Sequence, residues 1–291
     1  MAGHGKLGAL AGSTRGAALP TLVAPSGVDS RPRAVPNPST RILGPMSTSS
    51  TSPPDPGLEI LDALITDVRS TFHAFLLAQT TLQLGGNVLK SIQDSAIVEA
   101  TLGVALSMQP IPIGELRQYS TTFPTFLLDV FHSKIVQHWQ DCLTRIFCHY
   151  VDLHVTGTRP FAELRAKNVR IDFASTDPVN DQLRASLVRD FAFSEYAERQ
   201  KLINNLRDAT GKYPEHLSNI HKHVLIRNAA QHRHGVVDAY TLKRLGKTKV
   251  KVLDATGAVQ ELGEGDTIEL SIPELDSFRR SILLVGQAWR S

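Results

Sequence analysis

Between Ile220 and Asp238 the chain reads Ile-His-Lys-His-Val-Leu-Ile-Arg-Asn-Ala-Ala-Gln-His-Arg-His-Gly-Val-Val-Asp, which gathers a guanidinium, an amide and several imidazoles in one helical stretch. An imidazole titrates near neutrality and can take or give a proton. A guanidinium keeps its charge and can hold a phosphate through paired hydrogen bonds. Together they suit acid–base chemistry in which a developing negative charge is stabilised by the arginine. On a helix turning about 100° per residue, Arg227 projects within about 20° of Ile220. That is the line of an apolar stripe which includes Leu217, Ile220 and Val224. A charge there is costly unless it is paired. His232 follows Val224 and Asn228 by eight and four residues, on the flank beside Arg227. Chain exit at Gly235 would leave a groove at this helix end.

The elements that must position these groups are mostly helical. From Pro56, the residues Leu58, Ile60, Leu61, Leu64, Ile65, Val68, Phe72, Phe75 and Leu76 recur mainly at spacings of three and four, which predicts a long amphipathic helix with a potential break at Gly85-Gly86. Two further helices are expected over Ile92 to Leu106 and Phe126 to Leu153, with Pro124 in the first turn of the latter. Thr156 to Pro160 reads as a break. Phe161 to Val169 follows as a short helix, and Val179 to Leu206 as a longer one that stops by Gly211. The helix carrying the polar run opens at Pro214 or Glu215. Beyond it the period changes: Thr248 to Leu253 alternates, Asp254 to Gly257 makes a turn and Thr267 to Leu270 alternates again, giving a small β-ribbon. Ser271 and Glu274 form a capping box for a last helix that ends near Trp289. The fold class is all-α, an up-and-down bundle with a small β-ribbon near the C-terminus.

The polar run resembles the signature of the HEPN domains (higher eukaryote and prokaryote nucleotide-binding): an arginine, a polar residue directly after it, and a histidine following the arginine by a few positions. Arg227, Asn228 and His232 occupy those places. Gly235-Val-Val-Asp238 and Tyr240-Thr-Leu-Lys-Arg-Leu245 also resemble a bacterial HEPN subgroup in which a glycine, a short helix, strands and a final helix follow the motif. One departure is Arg233, where that subgroup often has asparagine. The likeness covers about residues 125–291, within a HEPN-like helical domain spanning 56–291. It implies a metal-independent endoribonuclease in which two protomers bring their motifs to one cleft and the neighbouring 2′-hydroxyl attacks the phosphate. By the same resemblance, His232 is the acid/base, Arg227 the phosphate stabiliser and Asn228 the group that orients them. A homodimer is the implied assembly. Toxin or anti-phage defence is the implied setting, with an antitoxin as a partner. The alternative is a non-catalytic HEPN module for dimerisation or for binding a ligand or partner.

Charge is consistent with an RNA partner. The chain carries only +3 overall, from 31 basic and 28 acidic residues, but residues 221–251 hold eight basic side chains against Asp238 alone, a net +7. Arg233, Lys243, Arg244 and Lys247 are the expected RNA contacts. Lysines 247, 249 and 251 have an equally good reading as guards of a ribbon edge, and acids within 254–276 could neutralise them in space.

Other chemistries are excluded or weakly signalled. His216, His221, His223, His232 and His234 cluster without a zinc spacing, so no metal and no cofactor are expected. There is no Gly-rich phosphate loop, G-x-S-x-G elbow or dinucleotide fingerprint. Asp190, Glu195 and Glu198 are expected to pair with arginines such as Arg189 and Arg199, and Trp139 and Trp289 to sit in the core or an interface. Cys142 and Cys148, six residues apart on one helix, face different ways and argue for a reducing, cytoplasmic setting. No run of 18 apolar residues marks a membrane span. Residues 1–55, rich in Gly, Pro, Ser and Ala, read as a disordered leader, and translation could start at Met1 or Met46. A transit peptide fits poorly because five prolines between 20 and 38 interrupt the required helix.

Overall fold

A computed structural model describes residues 56–98, 101–102, 106–107, 110–165 and 169–290; the leader lies outside these. Helix α1 (Pro56–Lys90) buries Ile60, Leu61, Leu64, Ile65, Val68, Phe72 and Phe75 along one face, as their spacing predicts. It runs unbroken through Gly85-Gly86. Each glycine costs about 1 kcal/mol relative to alanine in a helix interior, too little to end so long a helix.

No helix forms over the described part of Ile92 to Leu106, contrary to its apolar spacing. Short strands stand there instead: β1 (Ile97–Val98) pairs with β4 (Ile111–Pro112), and β2 (Thr101–Leu102) pairs with β3 (Leu106–Ser107). The reason lies partly in Arg117, reaching over from the next helix. Its Nη2 donates to the carbonyls of Leu89 and Ile92 at 2.9 and 2.7 Å, and its Nη1 pairs with Asp94. Carbonyls freed as α1 ends are thus satisfied by a side chain, and the β-branched residues beyond favour strand.

Helix α2 (Ile113–Val155) starts earlier than expected and carries Pro124 inside it rather than in its first turn. Just before the proline, the hydroxyls of Ser120, Thr121 and Thr122 donate to carbonyls three residues back, at 2.7, 2.7 and 3.2 Å. Hydroxyl bonds of this kind to the preceding turn accompany bends in helices, as a proline inside a helix does. α2 is the central element and packs against α1 and four later helices.

After the break at Thr156–Pro160 come α3 (Ala162–Arg165), α4 (Val179–Phe193) and α5 (Tyr196–Leu206). The helix expected over 179–206 is therefore two helices. Ser194 and Glu195 are extended, with ψ of 151° and 150°, and this swings Tyr196 into the core, where its hydroxyl accepts from Trp139 Nε1 at 2.8 Å. Trp139 and Trp289 are both buried, with ring centroids 5.2 Å apart, in the core as expected.

The last elements are α6 (Pro214–Arg233), α7 (Ala239–Leu245), β5 (Val250–Leu253), β6 (Val259–Leu262) and α8 (Ile272–Trp289). The ribbon forms, but β5 pairs with 259–262 rather than 267–270, from Val250↔Leu262 to Leu253↔Val259. Asp254 Oδ1 accepts from the amides of Thr256 and Ala258 at 2.8 and 3.0 Å, which tightens the turn and starts the pairing early. Thr267 makes an isolated bridge with Val236 instead.

The chain is mainly helical, of the all-α class, with three two-stranded antiparallel pairs among the described residues. No helix among them is long and apolar enough to cross a membrane. The distal halves of α1 and α2 leave apolar stripes exposed: Leu77, Leu84 and Val88 on the first, Tyr119, Phe123, Phe126 and Val130 on the second.

Candidate functional site

Helix α6 holds the polar run. Tyr213 takes a left-handed conformation at its start, and Pro214 supplies a φ already suited to the first turn. At its end His234 and Gly235 are both left-handed, with φ of 53° and 78°, and the Gly235 amide donates to Ala229 O at 3.2 Å. The chain is then pinned: Ile268 N donates to Gly235 O and Val237 N to Asp266 O, both at 2.9 Å. Asp238 caps α7 by accepting from Thr241 N at 2.8 Å and also pairs with Arg233. One carboxylate therefore ties the last turn of α6 to the first turn of α7.

Leu217, Ile220 and Val224 are buried as their stripe predicts, and Arg227 on the same line is half-buried. Its Nη1 donates to Asn228 Oδ1 at 3.4 Å, its Nε is buried without a partner, and among the described residues no carboxylate pairs with it. A desolvated guanidinium left without an anion is expensive, and an incoming phosphate would relieve it. His232, one turn further on, is exposed and makes no hydrogen bond or ion pair to Arg227 or Asn228. The structure thus brings Arg227 and Asn228 into contact and leaves His232 at the rim of the helix end.

Beside Asn228 lies a cleft of about 410 Å³ between α2, α5, α6 and α7. Its walls include Gln140, Arg199, His221, Asn228, Lys243 and Arg244. Of the four expected RNA contacts, Lys243 and Arg244 line this cleft. Arg244 is already paired with Glu195, and Arg233 with Asp238, while both guanidiniums lie 5.0 Å from the Tyr240 ring. Lys247 lines a separate small hollow with Lys222 and Lys251. Lys249 and Lys251 both pair with Glu261 across the ribbon, at 3.3 and 2.9 Å. The dense positive charge of 221–251 is therefore only partly compensated in space, with Arg227, Lys243 and Lys247 in no ion pair among the described residues.

A buried polar chain lies beneath Arg227. His132 Nε2 on α2 lies 3.1 Å from His223 Nδ1 on α6, and His223 Nε2 lies 3.0 Å from Glu274 Oε1 on α8. All three are almost fully buried. Lys222 Nζ sits 2.5 Å from the same carboxylate oxygen and donates to Lys251 O at 3.0 Å. Glu274 Oε2 accepts from Leu253 N at 2.7 Å. Half of the expected capping box is present, since Ser271 Oγ accepts from Glu274 N at 3.1 Å, but the carboxylate turns to the ribbon and the histidines instead of back to Ser271. Burial pushes His223 down to about 4, against the opposing pull of Glu274. Burial also holds His132 well below the usual imidazole range, and His223 and Arg227 lower it further. Burial alone would raise Glu274, but His223 and Lys222 outweigh it and hold the carboxyl down at about 2. At neutral pH the histidines are uncharged and Lys222–Glu274 is the ion pair. A carboxylate facing Nε2 favours the His223 tautomer protonated there, leaving Nδ1 to accept from His132.

No family model, curated protein or solved structure matches the chain. What it can do is read from its own side chains.

Two of those carried a different reading in the sequence, His223 within a histidine cluster and Arg199 as an ion-pair partner. His223 stands three residues after Ile220 and four before Arg227, so its place on the buried face could be read from spacing, but its partners come from α2 and α8. Arg199 was expected to pair with carboxylates; its Nε is buried without a partner, and Glu195 is taken by Arg244 instead. Among the described residues no group of three or more His, Cys, Asp or Glu is placed to hold a metal ion.

Proposed function

We propose that this protein is a metal-independent endoribonuclease of HEPN type acting as a homodimer, and that Arg227, Asn228 and His232 form its catalytic group. The observation that carries the reading is the half-buried Arg227 guanidinium, held by Asn228 at 3.4 Å and matched by no carboxylate among the described residues. A structural arginine on a buried stripe would be expected to have such a partner. Half-buried and without an anion, it suits a phosphate whose charge grows in the transition state.

In this mechanism the 2′-hydroxyl attacks the adjacent phosphorus and the 5′-oxygen leaves, giving a 2′,3′-cyclic phosphate. An exposed imidazole at His232 takes the proton from the 2′-hydroxyl or returns one to the leaving oxygen. Its exposure and the lack of a bond to Arg227 support a site completed by a second copy, in which the His232 of one protomer works opposite the Arg227 of the other. The exposed stripes on α1 and α2 are apolar surface that such an assembly could cover.

The test is cleavage of a mixed RNA pool in excess EDTA by the wild type, His232→Ala and Arg227→Ala. Cutting by the wild type that is lost in both variants while the dimer persists is the expected result. A folded, dimeric wild type that cuts no RNA across a broad pool would move the assignment to a binding module, a reading favoured by the prior pairing of Arg233 and Arg244 with carboxylates.

A further inference from the structure

The cleft beside Asn228 contains two cations that the fold leaves uncompensated. Arg199 on α5 is half-buried, its Nε is buried without a partner, and no carboxylate pairs with it among the described residues. Its guanidinium lies 6.0 Å from the Phe191 ring. Lys243 on α7 is exposed at the cleft and likewise has no ion-pair partner there. The one carboxylate in the wall, Glu195, is engaged by Arg244. The cavity of about 410 Å³ falls within the range of small-ligand sites. Two amides, Gln140 and Asn228, and the imidazole of His221 also line it, groups able to bond the polar edges of a base or sugar.

We propose that this cleft is a nucleotide subsite, with Arg199 and Lys243 holding a phosphate next to the one that Arg227 holds. The proposal rests on the RNA reading for its ligand, and Asn228 is the shared residue: it contacts Arg227 and also lines the cleft. The shared chemistry is a nucleotide phosphate, either within an RNA chain or on a free nucleotide. Arg199 is a binding residue here and takes no part in proton transfer. The Tyr240 ring is flanked by Arg233 and Arg244 at 5.0 Å each, which leaves base contact to the amide groups.

The experiment uses the full chain and a fluorescent 2′-O-methyl RNA oligonucleotide, which cannot be cut by 2′-hydroxyl attack. Its affinity is measured by anisotropy across salt concentrations for the wild type, Arg199→Gln, Lys243→Gln and Lys249→Gln. Arg199→Gln and Lys243→Gln should each weaken binding about tenfold and lower the salt slope by about one, while Lys249→Gln, which removes a ribbon lysine paired with Glu261 outside the cleft, leaves both near wild type. Lys243 is exposed, so its variant keeps the fold; thermal melting checks Arg199→Gln. Wild-type affinity and slope in both variants would overturn the subsite even if the enzyme cuts RNA. A second arm titrates nucleoside monophosphates. If these bind in an Arg199-dependent way and the oligonucleotide does not bind, the subsite stands as a free-nucleotide site and the nuclease reading fails.

Discussion

Arg227 Nη1 donates to Asn228 Oδ1 at 3.4 Å while Nε of the same guanidinium is buried without a partner. No carboxylate pairs with this guanidinium among the described residues, so its replacement should separate stability from activity. Arg227→Met should change unfolding stability in urea by about 1 kcal/mol or less, with either sign, because the apolar stem still packs. RNA cleavage should fall by about 100-fold or more. A large loss of stability with cleavage retained would make Arg227 a packing residue.

Glu274 serves three elements at once: Lys222 and His223 on α6, Leu253 N on β5 and its own helix α8. Glu274→Gln keeps the shape but removes the charge opposite Lys222. It should cost about 3 kcal/mol, as the loss of one partner of a buried ion pair does. Ser271→Ala, which removes the cap and the hydroxyl's bond to Leu253 O at 2.6 Å, should cost about 1 to 2 kcal/mol. Equal effects of the two in urea unfolding would reduce Glu274 to a helix-capping residue.

The buried histidines set an acid limit. Both have folded pKa values below their ordinary value, so the unfolded chain binds protons that the folded chain resists. The stability they contribute is full above about pH 6.5 and is lost as pH falls toward the folded value of about 4 for His223. Glu274, lowered to about 2, adds stability present above its ordinary value and lost as pH falls further. Urea unfolding at pH 7 and pH 5 should show a drop in the wild type. The drop should shrink in a His132→Phe, His223→Phe double variant that still folds, whereas an unchanged drop would assign the acid sensitivity to other groups.

The stripe Leu77, Leu84 and Val88 and the stripe Tyr119, Phe123, Phe126 and Val130 each repeat at helical spacing on exposed faces. If they form the homodimer contact, Leu84→Glu with Phe126→Glu should convert dimer to monomer in light scattering, with helix content intact. The same pair of substitutions should abolish cutting if His232 and Arg227 act across protomers. A dimer that survives both changes would place its interface elsewhere.

Much of this organisation was legible in residue order. The spacing of Ile60 to Phe75, the stripe Leu217–Ile220–Val224, the start of α6 at Pro214 and the end of α8 at Trp289 all followed from local periodicity and turn chemistry. Local rules failed where a distant side chain intervened. Arg117 takes the carbonyls of Leu89 and Ile92, and strands follow where apolar spacing suggested a helix. Tyr196 docks on Trp139 and divides one expected helix into two.

The site divides the same way. Sequence by itself determined that Arg227 lies on the buried line of α6 and that Asn228 adjoins it, because a helix fixes the direction of each side chain. Only the tertiary structure decided which cations remain uncompensated. Glu261, Asp238, Glu195 and Glu274 are brought from other positions to Lys249 and Lys251, Arg233, Arg244 and Lys222, whereas no carboxylate comes to Arg227 or Arg199 among the described residues. Charge compensation depends on distance in space, and residue order states only distance along the chain.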